Sequence, residues 1–583
     1  MYRYKIEKIT FNDGLEFSPG PLSVIVGPNN SGKSRALKDI QAITTTSEFP
    51  TIVVKDVFYP LPSSFQELKE EYNITPYQDE QGKQRLRTLK SNMVGPHDVV
   101  FGNSIDEKYS EMLQYNDQRK RSTFSQWFGN FLITYLGTED RLHIIRRSPS
   151  GDVGRQVDTL LQAFYREGKD LENILRKIIR ETFKIDIKLD YSGLSNLLFR
   201  IGDSFDEIPL DPRDARPLLE GYKSFDDQGD GIKSFVATIL AVMVGQRPVL
   251  LIDEPGAFLH PPQAMRLGEL IAEHTREDRQ TIIATHSSDI LRGIINKRQD
   301  VSIIRIDRNK NQNKIYPLDA DDMKKIANNP LLSSARVLEG LFYKGVVAVE
   351  ADSDSTFYQR VSRAVRPSDE IHYTHAHNKQ TVHKILEPYE KLGINFVAII
   401  DFDILRVKDE FKTLLNKVRV PDDEIKTLLE IQADIVKEVE SLDKSEQLKN
   451  IAASLKKLKE ICLTEDSQKE PEKAILKIRS DLKKIRDNAS PWSKYKAKGY
   501  SALTSGLIIK YEKLNTICRK YGLFIVPVGE LESWLIPYGV QRTSNKAKWI
   551  VDALEKLPSI IPQENEDLFK FIIEVHDYLI NED

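Results

Sequence analysis

Cysteine is nearly absent. Two occur in 583 residues, Cys462 and Cys518, too few for a disulfide framework or for a zinc site of four thiolates. A surplus of charge is missing too. The 84 Lys and Arg face 87 Asp and Glu, a formal net charge of −3. That balance excludes a histone-like polycation and an acidic tail protein, yet a local basic patch can still hide within it. Long apolar runs are lacking: the longest, Phe235 to Val244, falls far short of the roughly 20 residues of a membrane helix. The N-terminal MYRYKIEKITFNDG alternates like a strand and holds no apolar signal-peptide core. These absences point to a reducing, cytoplasmic setting without membrane contact. What is there, 40% hydrophobic and 29% charged residues, is the composition of a globular chain of two or more domains.

The hydrophobic pattern divides the chain into two α/β stretches. In the first, residues 1–20 read as two short strands about a turn at Asn12-Asp13-Gly14, and Leu22 to Val26 is an apolar strand entering a glycine-containing loop and then a helix. A strand is expected within 50–60, followed by a largely helical insertion over about 61–220 that ends in the strand candidate IDIKLDY. From 228 a Gly-rich turn, a helix, the strand PVLLID, a helix around 262–274 and the strand TIIAT alternate as in a parallel sheet. SIIRID at 302–307 and residues 314–317 add short strands, and Asp319 to Asn329 reads as a linker or linking helix. The second stretch holds the strands GVVAVE, NFVAIIDFD and LFIVPVGE, with helices between them and a Lys/Glu-rich helical hairpin inserted at about 405–500. The expected domains are 1–335 and 340–583.

Gly27-Pro28-Asn29-Asn30-Ser31-Gly32-Lys33-Ser34 fits G-x4-G-K-[ST] between a strand and a helix. In such a loop the glycines, with Asn30 between them, let backbone N–H groups curl round phosphates. Lys33 reaches the β/γ oxygens and Ser34 can hold Mg²⁺. The apolar strand Val249 to Asp253 ends in two carboxylates. Asp253 would stand beside the Mg²⁺ shell, and Glu254 would polarise the attacking water as general base. The strand Thr281 to Thr285 leads to His286, suited to sensing a γ-phosphate.

These motifs resemble the ATPase head of the SMC/ABC class over about 1–60 and 220–310. The segment from Glu254 to Pro261 looks like that class's Walker B and D-loop. Gln228-Gly229-Asp230-Gly231-Ile232-Lys233-Ser234 stands where its signature does, with Gln228 in place of the usual serine. The resemblance implies that Gly229 and Gly231 contact the γ-phosphate held by another protomer. A homodimer or higher oligomer through the ATPase heads follows from it, with the insertion at 61–220 as a possible dimerisation region. For the Q-loop, Gln126 is the candidate.

Acids mark the second stretch. The strand at 346–349 delivers Glu350 and then Asp354 into a helix start, and a strand ending at Ile400 delivers Asp401 and Asp403. In a parallel sheet such strand ends share an edge, where ligands collect. Carboxylates without Cys or paired His suit the hard cations Mg²⁺ and Mn²⁺. Two such ions about 4 Å apart would drive phosphodiester cleavage. The pattern resembles the Toprim fold. Glu350 matches the family glutamate, Asp401 and Asp403 its D-x-D, and Asp354 its following acid, while Ala351 replaces a usual glycine. Asn378-Lys379 resembles the small-residue–Lys turn of these domains. An ABC head fused to a C-terminal Toprim domain resembles the OLD-family nucleases. In that family a late acid and a lysine complete the site, which implies Glu532 (or Glu530) as a further metal ligand and Lys546 (or Lys548) to stabilise the pentavalent phosphate.

The resemblance implies ATP with Mg²⁺, and Mg²⁺ or Mn²⁺ at the acidic site, in an ATPase and metal-dependent nuclease acting on DNA. RNA as substrate, or a nucleic-acid sensor or clamp with an inert acidic site, stay open as alternatives. Many OLD members serve bacterial anti-phage defence, some beside a partner protein or a retron RNA–DNA element. Lys494, Lys496 and Lys498, with Lys456, Lys457 and Lys459, are candidates for a local nucleic-acid surface.

Overall fold

A computed structural model describes residues 2–46, 50–72, 74–78, 84–88, 105–151, 157, 159–310, 312–318, 320–329, 334–376, 378–441, 444–462, 471–488, 490–543, 546–563 and 567–580. The chain forms two compact units, Met1–Phe342 and Tyr343–Asp583. Among the described residues no helix is long and apolar enough to cross a membrane.

The first unit is built on a six-stranded sheet ordered Gln312–Leu318, Ser302–Asn309, Leu22–Val26, Gln280–Ala284, Val249–Asp253, Ile133–Leu136. Five strands run parallel. Gln312–Leu318 alone is antiparallel, returning from Ser302–Asn309 as a hairpin. The central strands LSVIV and QTIIA are buried at every position, as the near-continuous apolar runs of a sheet covered on both faces require. Register decides where chemistry gathers: Asp253 pairs with Ala284, and Ala284 with Ile25. The ends of three strands are therefore level, and the loop at Gly27, the acids at 253–254 and His286 leave the sheet along one edge. A smaller antiparallel sheet joins Glu16–Phe17, Lys8–Phe11 and Val54–Phe58.

Over 61–220, expected to be largely helical, more of the described residues lie in helices than in strands. Helices such as Asp117–Leu132 and Lys169–Phe183 are present. So are the hairpin Ile74–Gln78 with Gln84–Thr88 and an antiparallel sheet of Ser148–Pro149, Asp186–Asp190, Asn196–Gly202 and Lys223–Ser224. Ile133–Leu136 is an edge strand of the main sheet itself. Its four residues are too few to show a period against the helix before them. The segment read as a linker or linking helix holds the helix Ala320–Ala327.

The second unit centres on four parallel strands ordered Ile371–His375, Gly345–Val349, Asn395–Ile400, Leu523–Ile525. Ile371–His375 escaped the sequence pattern because its IHYTH carries two histidines on a strand that is buried throughout. The expected helical hairpin at 405–500 is larger. Among the described residues that span holds the helices Lys408–Lys417, Asp422–Glu440, Lys444–Cys462, Pro471–Asn488 and Ser493–Lys498. Phe357, Trp534, Trp549, Phe571 and neighbours form the core beneath the sheet.

Candidate nucleotide and acidic sites

The loop leaving Val26 turns on three residues with positive φ: Gly27 at 147°, Asn30 at 61° and Gly32 at 102°. At Gly27 the need for glycine is also steric, since a Cβ would lie 2.1 Å from the Ile306 carbonyl oxygen. Asn313 Nδ2 donates to Ser31 O at 2.7 Å and pins the loop from the hairpin strand. Lys33 opens the helix Lys33–Thr45. It is buried, and its ammonium donates to Gly27 O and Pro28 O, both at 2.9 Å. Burial lowers its pKa, and Glu254 and Asp253 work in the opposite direction. Ser34 Oγ donates to Asp253 Oδ1 at 2.8 Å, so the hydroxyl and carboxylate expected to share Mg²⁺ stand together. The other oxygen, Asp253 Oδ2, accepts from the Tyr135 hydroxyl at 3.1 Å.

Glu254 has φ 49°, and its carboxylate faces His286. Oε2 accepts from the His286 backbone N–H at 3.1 Å and lies 2.9 Å from His286 Nδ1. That hydrogen bond raises the imidazole pKa, against burial. Gly229 caps the helix Asp230–Val244 from an exposed position. Gly231 packs so closely that a Cβ would come 2.6 Å from Phe258 O. Lys33, Ser34, Asp253, Glu254 and His286 thus converge at the edge of one sheet. Gln126 does not join them. It is exposed on the helix Asp117–Leu132, while the residues from that region that do reach Asp253 and Glu254 are Tyr135 and Arg141. Neither carries a motif, and only their place at the end of an edge strand could have signalled them.

In the second unit Glu350 and Asp401 follow directly on two neighbouring parallel strands. The Asp401 N–H donates to Glu350 Oε1 at 3.2 Å. Asp354 lies in the first turn of the helix Asp352–Val365 and accepts from the Ala351 N–H at 2.9 Å. Its other oxygen is buried and has no partner among the described residues, and the same holds for Glu532 Oε2. The charges are under-compensated. Burial, with Asp403 and Asp354 adding, pushes Glu350 up to about 7. Burial pushes Asp354 up to about 6 against the pull of Lys546, and burial with Glu350 holds Asp401 well above the carboxylate range. For Lys546, burial works against the ammonium, but Asp401, Asp354 and Glu532 outweigh it and raise its pKa. Its Nζ is 3.6 Å from Glu532 Oε1, with the side chain half exposed. Glu530 pairs instead with Arg542, and Lys548 is exposed.

Asp403 differs from the other acids. Lys496 Nζ is 2.8 Å and Lys379 Nζ 3.3 Å from its two oxygens. Burial would raise its pKa, yet these two ammoniums hold it below the usual value. Lys496 is therefore an ion-pair partner within the site, whereas Lys494, Lys498, Lys456, Lys457 and Lys459 are exposed. Among the described residues no three His, Cys, Asp or Glu side chains stand grouped to hold a metal as they are. The donor chemistry nevertheless fits a hard cation. The oxygens are buried, two have no partner among the described residues, and one positive charge near them would relieve several acids at once.

Residues 22–292 match the family described as "AAA domain, putative AbiEii toxin, Type IV TA system". No curated protein matches the chain. Similar solved structures include an SMC head bound to the C-terminal winged-helix domain of ScpA, at 14% identity over 54% of this chain and 98% of that one, TM-score 0.31. The SMC head domain from Thermotoga maritima has 13% identity over 55% and 100%, TM-score 0.28. The Smc head domain with an extended coiled coil from Pyrococcus furiosus has 14% identity over 55% and 98%, TM-score 0.31. The family match and the loop geometry agree: the first unit carries an ATPase domain of the P-loop type, whose Lys33, Ser34 and Asp253 fit a nucleotide with Mg²⁺.

Proposed function

We propose that this chain is an ATP-hydrolysing, divalent-cation-dependent nuclease that cleaves phosphodiester bonds in DNA, its second unit a Toprim domain and the whole an OLD-type enzyme. The observation that carries this reading is the acidic cluster: Glu350, Asp354 and Asp401 bury carboxylates whose charge is under-compensated, and Glu532 buries an oxygen that has no partner among the described residues. Carboxylates perturbed in this way cluster at functional sites. Glu350, Asp354, Asp401 and Glu532 would hold Mg²⁺ or Mn²⁺, which supply charge neutralisation at the scissile phosphate and a reactive water. Lys546 sits beside Glu532 and offers a proton-rich cation for the pentavalent phosphate.

In the first unit Lys33 leaves its two loop carbonyls for the β/γ oxygens. Ser34 and Asp253 would hold Mg²⁺, which neutralises the phosphates. Glu254 takes a proton from the attacking water, and His286, bonded to Glu254, reads the γ-phosphate. Gly229 and Gly231, at the start of Asp230–Val244, serve the nucleotide of a second protomer, so ATP gates a dimer. The matched family, "AAA domain, putative AbiEii toxin, Type IV TA system", supports a bacterial defence role. There the trigger would come from phage nucleic acid, a partner protein or an RNA–DNA element.

A second reading, an ATP-dependent clamp with an inert acidic site, draws on one observation: Asp403 already has two lysine partners. Incubation of the protein with labelled plasmid DNA and with total RNA, each with Mg²⁺ or Mn²⁺, decides between them. DNA cleavage that Asp401→Ala abolishes supports the nuclease, and RNA cleavage replaces its substrate. Binding of DNA without cleavage under any cation supports the clamp.

A further inference from the structure

Arg141 lies in the short helix Thr138–His143, which follows the edge strand Ile133–Leu136. It is fully buried. Its guanidinium reaches into three other places. Nη1 donates to Leu136 O at 3.1 Å and Asp253 O at 2.5 Å, and Nη2 to Glu254 O at 2.7 Å and Thr138 Oγ1 at 3.4 Å. Nε donates to Ser234 Oγ at 3.0 Å. Ser234 belongs to the helix Asp230–Val244, whose first turn carries Gly231. One buried cation therefore joins the backbone of both strand-end acids to the helix that opens with the signature-like loop.

The joined backbone is not relaxed. Glu254 is a non-glycine residue at φ 49°, a left-handed conformation that costs roughly 1 kcal/mol or more and persists only where its surroundings impose it. Its N–H donates to Ala284 O at 2.8 Å, and its carbonyl accepts from Arg141 Nη2 and from the Ala257 N–H at 3.1 Å. That conformation turns the carboxylate to His286. A lysine, whose donors all sit on one nitrogen, could reach some of these acceptors but could not span Ser234 Oγ and the Asp253 and Glu254 carbonyls together, because it lacks the planar fork.

We propose that Arg141 is a positioning residue for ATP hydrolysis. It holds the Asp253–Glu254 peptide so that the Glu254 carboxylate meets the water, and it ties that peptide through Ser234 to the helix Asp230–Val244. The inference rests on the reading of Glu254 as the base. Loss of the fork should displace the carboxylate by a fraction of an ångström to an ångström while Lys33, Ser34 and the loop keep their bonds. A displacement of that size costs up to about 100-fold in rate.

The test compares Arg141→Lys, Ser234→Ala and Glu254→Gln for kcat, KM, nucleotide Kd and melting temperature. Arg141→Lys is expected to lower kcat by at least about tenfold while Kd for ATP stays within about threefold. Ser234→Ala, which removes one hydrogen bond and no charge, should lower kcat less and in the same direction, with a melting temperature lowered by a few degrees at most because Arg141 Nε loses its acceptor. A folded Arg141→Lys protein with wild-type kcat beside an inactive Glu254→Gln overturns the positioning role. Loss of binding, turnover and melting temperature together in Arg141→Lys, with Ser234→Ala at wild-type kcat, reduces Arg141 to a structural residue and also overturns it. Wild-type hydrolysis by Glu254→Gln would instead remove the base on which the inference stands.

Discussion

Glu350→Gln should make the cation-free second unit more stable, and the reason is in the geometry. Glu350 is buried beside Asp403 and Asp354, and its carboxyl is pushed from 4.5 up to about 7. At pH 8 the folded unit therefore holds an anion that costs about 3 kcal/mol more than it does in the unfolded chain. The glutamine isostere deletes that charge and keeps an oxygen to accept the Asp401 N–H, bonded at 3.2 Å in the native protein. The gain is at most about 3 kcal/mol, about 6–12 °C in melting temperature for a unit of this size. It is shared with Asp401, whose own ionisation Glu350 opposes, so a second neutralisation adds less than the first.

The pH dependence has a definite sign. A carboxyl with a raised folded-state pKa binds more protons folded than unfolded, so stability falls as pH rises from about 4.5 through about 7 and then levels. Three of the four tryptophans, Trp492, Trp534 and Trp549, belong to the second unit. Trp534 donates to the Tyr358 hydroxyl at 3.0 Å, a group that itself feels Asp354 and Asp401. Thermal melts followed by tryptophan fluorescence in EDTA, at pH 5 and pH 8, should show wild type losing stability at the higher pH and Glu350→Gln losing much less. Mn²⁺ should then raise the wild-type melting temperature at pH 8 and raise that of the variant by a smaller amount. A variant that melts below wild type at pH 8 in EDTA would refute the claim that Glu350 is an under-compensated buried charge.

Further outcomes are expected. Lys33→Ala should lose ATP binding, measured by calorimetry, with circular dichroism unchanged. Glu254→Gln should bind ATP and favour the dimer in analytical ultracentrifugation while hydrolysis falls by two orders of magnitude or so; rapid turnover in that variant would remove Glu254 as the base. Asp401→Ala should abolish nucleic-acid cleavage and leave ATP hydrolysis intact when both are assayed on one preparation; surviving cleavage would sink the Toprim assignment. Replacing Lys456, Lys457 and Lys459 by alanine should flatten the dependence of DNA binding on salt by up to about 2–3 in logarithmic slope; an unchanged slope would show that these exposed lysines meet no phosphates.

The legible parts of the fold were those with a strong local signal. LSVIV and VLLID are uninterrupted apolar runs capped by a glycine loop or by acids, and both became central parallel strands. Glu350, Asp401 and the strands that deliver them were legible for the same reason. Ile133–Leu136 and Ile371–His375 were not. One is a four-residue edge strand directly after a sixteen-residue helix, and the other a buried strand carrying two histidines. Pairing partners far along the chain create both strands, and no short window contains those partners. Ion pairs obey the same limit. Lys496 reads as a surface lysine in the run Lys494 to Lys498, and only the fold brings it 2.8 Å from Asp403.

The same limit explains why the strand-end acids of the first unit were legible and their support was not. Asp253 and Glu254 announce themselves by type and position. What holds them is Tyr135 on one side chain, delivered by the edge strand that the sequence pattern hid, and Arg141 on two backbone carbonyls, delivered by the short helix that follows it. The reacting groups need particular elements, which a motif can encode. The groups that orient them need only a donor at the right point in space, which any element able to reach that point can supply. A strand inserted at the sheet edge supplies it here. The insertion at 61–220 therefore contributes to the nucleotide site directly, through the eleven residues from Ile133 to His143, and substitutions there should act on turnover before they act on binding.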